Sequence, residues 1–439
     1  MQNAENLFWI AFVAAGAAIL FALIQSWQIR NLPRRLQEDD PSQAALLGSI
    51  KTYCLRQYGA AVLAVALLFG GLWGLSRIGM TDRFLPYAFL SGSLLPILTG
   101  LLGLWVSAMA QLRTAEAVEE SLDKALKTAL SAGTVTGFLG IGLALLELTA
   151  WFFVLRYSMG YEAARIAQIM LSFGLGAAFL SLFSRISVGV FSSGADLAAG
   201  AASKGSVTLS LDHFHNPAAM ARLTGETAGG SSGLSADLYS SFSLAVLCAF
   251  ALSGPAFAGE GLLWSGMLLP LAVAAAGVLS SLISVFLIRV REGEPLLNSV
   301  RLAGFCAAGL TAAIAAPHTF FLMGTWELWF SAAAGCLAGF VLPLWSQWSV
   351  SGAHKPIQRL AAPTETDPAS SLLAGLSLGM RAAVLPFLLM GAVLLFAFLS
   401  AGGSLVLPLY EASYAKGVYG VALCAVGFLS TAAMTLSLS

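Results

Sequence analysis

Apolar residues in this chain run in long blocks. Eleven stretches, near residues 7–27, 58–76, 84–109, 134–155, 166–192, 234–253, 262–288, 302–321, 328–347, 383–400 and 418–437, carry at most one charged residue each. A helix crosses the hydrocarbon core of a bilayer with ~20 apolar residues, and blocks of this length match that requirement. The apolarity is continuous and does not alternate with period two, which excludes the strands of a membrane barrel. Helices also satisfy their own backbone hydrogen bonds, as lipid demands. The pattern predicts an all-α polytopic membrane protein with about 11 transmembrane helices, forming a single transmembrane domain over 1–439 in contact with the lipid bilayer.

Composition agrees with that class: 58% of residues are hydrophobic and 10% charged, and the mean hydropathy is +0.83. The first block lacks a basic leader and a small-residue cleavage site, so it reads as a retained helix. Cys54, Cys248, Cys306, Cys336 and Cys424 have no C-x-x-C spacing and read as small buried apolar residues without a disulfide framework. The net charge is zero and no basic stripe with interleaved aromatics occurs, so no nucleic-acid partner is expected.

Lysine and arginine set the orientation. Fifteen fall in the loops that follow odd-numbered spans, among them Arg34, Arg35, Lys124, Lys204, Arg222, Arg289 and Lys355. Five fall in the other loops: Arg77, Arg83, Arg156, Arg165 and Lys416. The positive-inside bias then puts the amino terminus outside and the carboxyl terminus in the cytoplasm, with a bacterial inner membrane as the expected location. The polar stretch 110–133, with pairs such as Glu120 and Lys124, reads as a solvated extension of the third and fourth helices.

Ionisable residues inside spans are expensive and point to pathways or partner pairs. They are Glu147, Arg185, Asp237 and, at the edge of the tenth span, Arg381. Arg185 and Asp237 flank a Gly/Ser-rich loop at 193–233, cytoplasmic in this orientation. Phosphate chemistry with a hard cation needs several carboxylates for Mg²⁺ and a Lys or Arg for the anion. Asp196, Asp212, Glu226, Asp237, Lys204 and Arg185 supply those types; a solvated connector is the other reading. His213 and His215 lack further ligands at zinc spacing. No Walker A loop, G-x-S-x-G elbow or H-E-x-x-H occurs.

The run from Ser172 through Ser184-Arg185 and Gly189-Val-Phe191 to Ala195-Asp196 resembles the fifth helix of the membrane-bound, ion-translocating inorganic pyrophosphatases. His215-Asn216-Pro217-Ala218 and Ser235-Ala-Asp237-Leu-Tyr239 resemble that family's next landmarks, in the same order. Weaker similarity includes Arg56-Gln57-Tyr58, Arg113-Thr114-Ala115, Asn298 to Arg301, and Gly417-Val-Tyr419-Gly-Val-Ala-Leu423. The resemblance implies the first eleven helices of a sixteen-helix fold, a homodimer, and hydrolysis of pyrophosphate coupled to H⁺ or Na⁺ movement with Mg²⁺ as cofactor. It also implies roles. Asp196, Asp212 and Glu226 would hold metal, Lys204 and Asn216 would bind substrate, Lys204 and Arg185 would neutralise phosphate, and Asp237 would orient water or take its proton.

The same resemblance marks departures. The family's Asp, Asp, Lys at four-residue spacing reads Asp196, Gly200, Lys204, and its next cluster of three Asp reads Arg222, Glu226, Gly230. The family's helix-six Glu is replaced at its candidate positions by Ser240 and Leu244. The sequence stops at Ser439, where further acidic motifs would follow in the family, so those helices are expected on a second chain or lost. These departures imply a chain that does not hydrolyse pyrophosphate alone. A non-catalytic membrane binding or assembly subunit derived from the pump is the alternative, and a secondary transporter using Glu147, Arg185 and Asp237 is a third reading.

Overall fold

A computed structural model describes residues 2–32, 41–205, 225, 227, 233–288, 296–352, 354–358, 368–404, 411–432 and 434. Side chains of 2–7, 41–46, 187, 195, 199, 202–205, 296, 297, 368, 371, 411 and 412 lie outside the description. Eleven long helices account for nearly all of the described residues: α1 (Gln2–Arg30), α2 (Pro41–Arg77), α3 (Leu85–Glu120), α4 (Leu122–Phe153, continued by a π turn, Val154–Ser158), α5 (Ala163–Gly205), α6 (Leu234–Phe257), α7 (Leu263–Val285), α8 (Leu296–Met323), α9 (Glu327–Val350), α10 (Pro368–Ser400) and α11 (Glu411–Ser430). All eleven are long and apolar enough to cross a membrane, as the hydrophobic blocks predict. The protein is an integral, multi-pass membrane protein.

Several helices outrun their hydrophobic blocks. The arm at 110–133 is two helix ends meeting at Ser121, whose extended backbone (φ −165°, ψ 148°) and Oγ, accepting from the Lys124 N–H at 3.3 Å, cap α4. Lys124 pairs with Glu120 across that break and Lys127 with Asp123 at 2.6 Å; exposed pairs of this kind add only a few tenths of a kcal/mol. At the opposite end of the bundle α2 and α8 stop at Gly79 (φ 82°) and Gly324 (φ 73°), left-handed positions that suit glycine.

The helix α6 is the hub, packing on α3, α4, α5, α7 and α11. Tyr239, Phe242 and Phe250 of α6 are fully buried with Phe173 of α5, Phe138 and Phe152 of α4 and Tyr419 of α11. In the most apolar stretch of α7, 78% of residues are buried, against 11% in α2 and α10, so the last two form the periphery. Lipid offers no hydrophobic reward for pairing helices, and close approach of small residues does the work. Gly92 of α3 lies against the Phe173 carbonyl of α5, and Gly176 of α5 against the Phe89 carbonyl of α3. The interface between α9 and α11 repeats the device: Gly335 and Gly339 face Cys424 and Phe428, and Gly427 faces the Ala332 carbonyl.

Three of the five cysteines differ from the buried positions expected of them. Cys336 and Cys424 are buried, but Cys54 and Cys306 are half-buried and Cys248 is exposed on the bundle surface; all five are free thiols. An exposed small sulfur residue costs nothing in a lipid-facing position, so hydropathy alone could not place it inside.

Candidate functional site

Residues of α5 and α6 build a polar locus within the described spans. The Arg185 guanidinium donates to Asp237 Oδ1, and Ser181, one turn earlier on α5, donates to the same oxygen from 3.3 Å. Ser181 and Arg185 share one helix face because they are four apart. Ser240 Oγ donates to the Asp237 carbonyl at 3.0 Å, within the first turns of α6. Arg185 and Asp237, which flank the 193–233 loop in sequence, meet as a direct ion pair. The pair is not enclosed: the Arg185 side chain is 60% exposed and that of Asp237 28%.

Beyond Arg185 the helix does not end with the membrane block but continues to Gly205. At ~1.5 Å rise per residue, Asp196 stands roughly 16 Å beyond Arg185. Asp196 is exposed, as is Gly200. Positions 196, 200 and 204 are four apart on one continuous helix, so their backbone positions share a face. Lys204 lies on this helix with its side chain outside the description, and Asp212, Asn216 and Glu226 lie outside the described residues altogether. From the far side of that segment Thr227 is buried and accepts a 2.5 Å hydrogen bond from Gln111 Nε2 of α3.

A second polar pair lies deeper, on the other side of α6. Glu147 of α4 is buried at 7% exposure, and the hydroxyl of fully buried Tyr239 donates to its Oε2. Beside it Trp151 Nε1 donates to Ser91 Oγ at 2.9 Å. The run Ser235 to Tyr239 contains the tyrosine, but its partner could not be read from the sequence, because helical periodicity gives a face and not the rotation of that face against a neighbour. Arg381 is exposed on α10.

Magnesium held with diphosphate takes oxygen ligands, mainly carboxylates, in near-octahedral order. Among the described residues no three Asp, Glu, His or Cys side chains converge as a metal site would need. Asp237 is engaged by a cation, and Asp196 shares its helix face with positions 200 and 204, which bring no second carboxylate. The described donor set does not fit a metal–diphosphate cage, and no chemical step is derived through one.

Comparison with known proteins gives a consistent family. The family model described as inorganic H⁺ pyrophosphatase matches residues 16–439. The chain is 29% identical over 451 residues to a Bacteroides thetaiotaomicron protein assigned by its name as a K(+)-stimulated pyrophosphate-energized sodium pump, covering 98% of this chain and 60% of that one. It is 31% identical over 437 residues to a K(+)-insensitive pyrophosphate-energized proton pump of Methanosarcina mazei, with 99% and 61% covered. A Moorella thermoacetica relative named K(+)-insensitive pyrophosphate-energized proton pump 2 is 27% identical, with 99% and 62% covered. The chain thus spans about 60% of the length of the curated relatives it matches.

Proposed function

Because the chain belongs to the inorganic H⁺ pyrophosphatase family, we propose that it is a membrane subunit of pyrophosphate-energised pump descent that contributes part of a phosphate site and does not hydrolyse pyrophosphate unaided. The observation that carries this reading is the surface position of the Arg185–Asp237 pair. Charges at membrane depth face a bundle interior or a water-filled cavity, because exposure to lipid is costly. Here they sit on a flank of α5 that also exposes Leu182, Ile186 and Val190. Further protein covers that flank: a second copy of this chain, as the expected homodimer, or a separate chain with additional helices.

Within that assembly the family resemblance assigns Lys204 and Asn216 to phosphate oxygens and Asp196, Asp212 and Glu226 to metal. Asp237 holds Arg185 in place between the mouth and the membrane interior. Charge balance argues against turnover by this chain alone. Gly200 and Gly230 bring no charge where the family has carboxylates, and Arg222 brings the opposite one. A diphosphate in water displacement needs its charge neutralised by metal and cation together. The loop-charge bias supports a cytoplasmic mouth.

Membranes containing only this chain, supplied with Mg²⁺ and pyrophosphate, are expected to release phosphate at the rate of empty membranes, with no difference between the natural chain and Lys204→Ala. Release above background that disappears in Lys204→Ala would overturn this reading in favour of hydrolysis by this chain.

A further inference from the structure

The geometry points to Glu147 as a proton-exchange site that opens toward the end of the bundle away from residues 193–233. A groove of about 440 Å³ there is lined by Phe84, Tyr87, Glu147, Ala150, Trp151 and Val154. Phe84 immediately precedes α3 and Val154 opens the π turn that follows α4, so the groove runs from the carboxyl to the start of α3 and the end of α4, roughly 10 Å at the rise of an α-helix. A carboxyl at the foot of such a groove can pass a proton to water and take one back.

Among the described residues the surroundings leave a proton as the only neutraliser of this carboxyl. Tyr239 of α6 and Tyr87 of α3 are the titratable groups facing it, and neither is a cation. Asp237, also on α6, is two residues from Tyr239 and turned to α5. The packed spans of α1 (Phe8–Ile29) and α7 (Leu263–Val285) hold no ionisable residue. Arg156, farther along the same helix, lies over the Trp264 ring at 3.6 Å, and Arg165 of α5 pairs with Asp82 at 2.6 Å. An unpaired carboxylate at membrane depth is costly, and a purely structural role would be served by an uncharged residue of similar shape. Exchange at Glu147 is a property of this chain's own bundle, separate from whether the chain hydrolyses pyrophosphate.

Hydrophobic carbodiimides test this directly. The reagent takes the carboxyl proton on its nitrogen while the carboxyl oxygen bonds to its central carbon, and an acyl shift leaves a stable N-acylurea that mass spectrometry locates. With the full chain in its membrane, the peptide containing Glu147 is expected to carry the label at about pH 5 to 6. Above the midpoint the yield should fall about tenfold for each further pH unit, following the protonated fraction. Glu147→Gln gives no label on that peptide, and Ala150→Phe, which fills the groove wall, slows labelling. No label on Glu147 between about pH 5 and about pH 9, or a yield that does not vary with pH, would overturn the assignment. So would an unchanged rate in Ala150→Phe. Phosphate release is not needed for any of these readouts, so this inference and the proposed function fail separately.

Discussion

Gly335→Ala is expected to destabilise the bundle by about 2 kcal/mol, although helix propensity alone would make it stabilising by about 1 kcal/mol. The added Cβ would overlap the Cys424 carbonyl and stand 2.9 Å from the Phe428 amide nitrogen. Both neighbours are backbone, so the overlap is relieved only by moving α11 away from α9. Gly309, on α8, has nothing within 4 Å of its would-be Cβ, and Gly309→Ala should therefore show the propensity gain by itself. The two substitutions carry opposite signs for the same chemical change. Thermal unfolding in detergent measures them, and maleimide labelling of Cys424, buried at this interface, reports the separation directly. Equal effects at the two glycines, or unchanged protection of Cys424 in Gly335→Ala, would show that α9 and α11 are not in the contact described.

Breaking the Arg185–Asp237 pair has the second large effect. Among the described residues, Arg185→Ala leaves the Asp237 carboxylate with one hydroxyl donor, Ser181 at 3.3 Å. Losing one partner of a fully buried pair costs ~3–5 kcal/mol, but the exposure of both side chains discounts this to about 1–3 kcal/mol. Replacing both with apolar residues, as in Arg185→Met with Asp237→Leu, removes the stranded charge and should restore most of the loss. A double-mutant cycle on the unfolding midpoint should therefore give a coupling of about 1–2 kcal/mol. Additive single effects would mean that the two side chains do not act as a pair.

Much of the membrane architecture was legible before any coordinates, because hydrophobic length is a direct demand of the bilayer on each helix. The extension of α3 and α4 past the lipid was legible in pairs such as Glu120 and Lys124, but that of α5 was not: once a helix leaves lipid, polar residues such as Asp196 continue it without a hydropathy signal. The break at Ser121, whose hydroxyl caps α4, carried no hydropathy signal either. Pairing was legible only where position in the chain forced it. Arg185 and Asp237 flank the same loop and meet, whereas Glu147 and Tyr239 lie 92 residues apart and meet through a helix rotation that no single-sequence pattern encodes. The mouth itself was read from resemblance, residue by residue, and of its members the side chains of Asp196, Arg185 and Asp237 fall within the described structure.

Equilibrium binding of magnesium diphosphate to the purified chain, with no other subunit present, tests the charge-balance account most directly. No saturable binding is expected up to about 1 mM, the affinity range of a few weak contacts, and no difference on substituting Lys204→Ala. Saturable binding with a Kd near 1 μM or tighter, lost in Lys204→Ala, would contradict it.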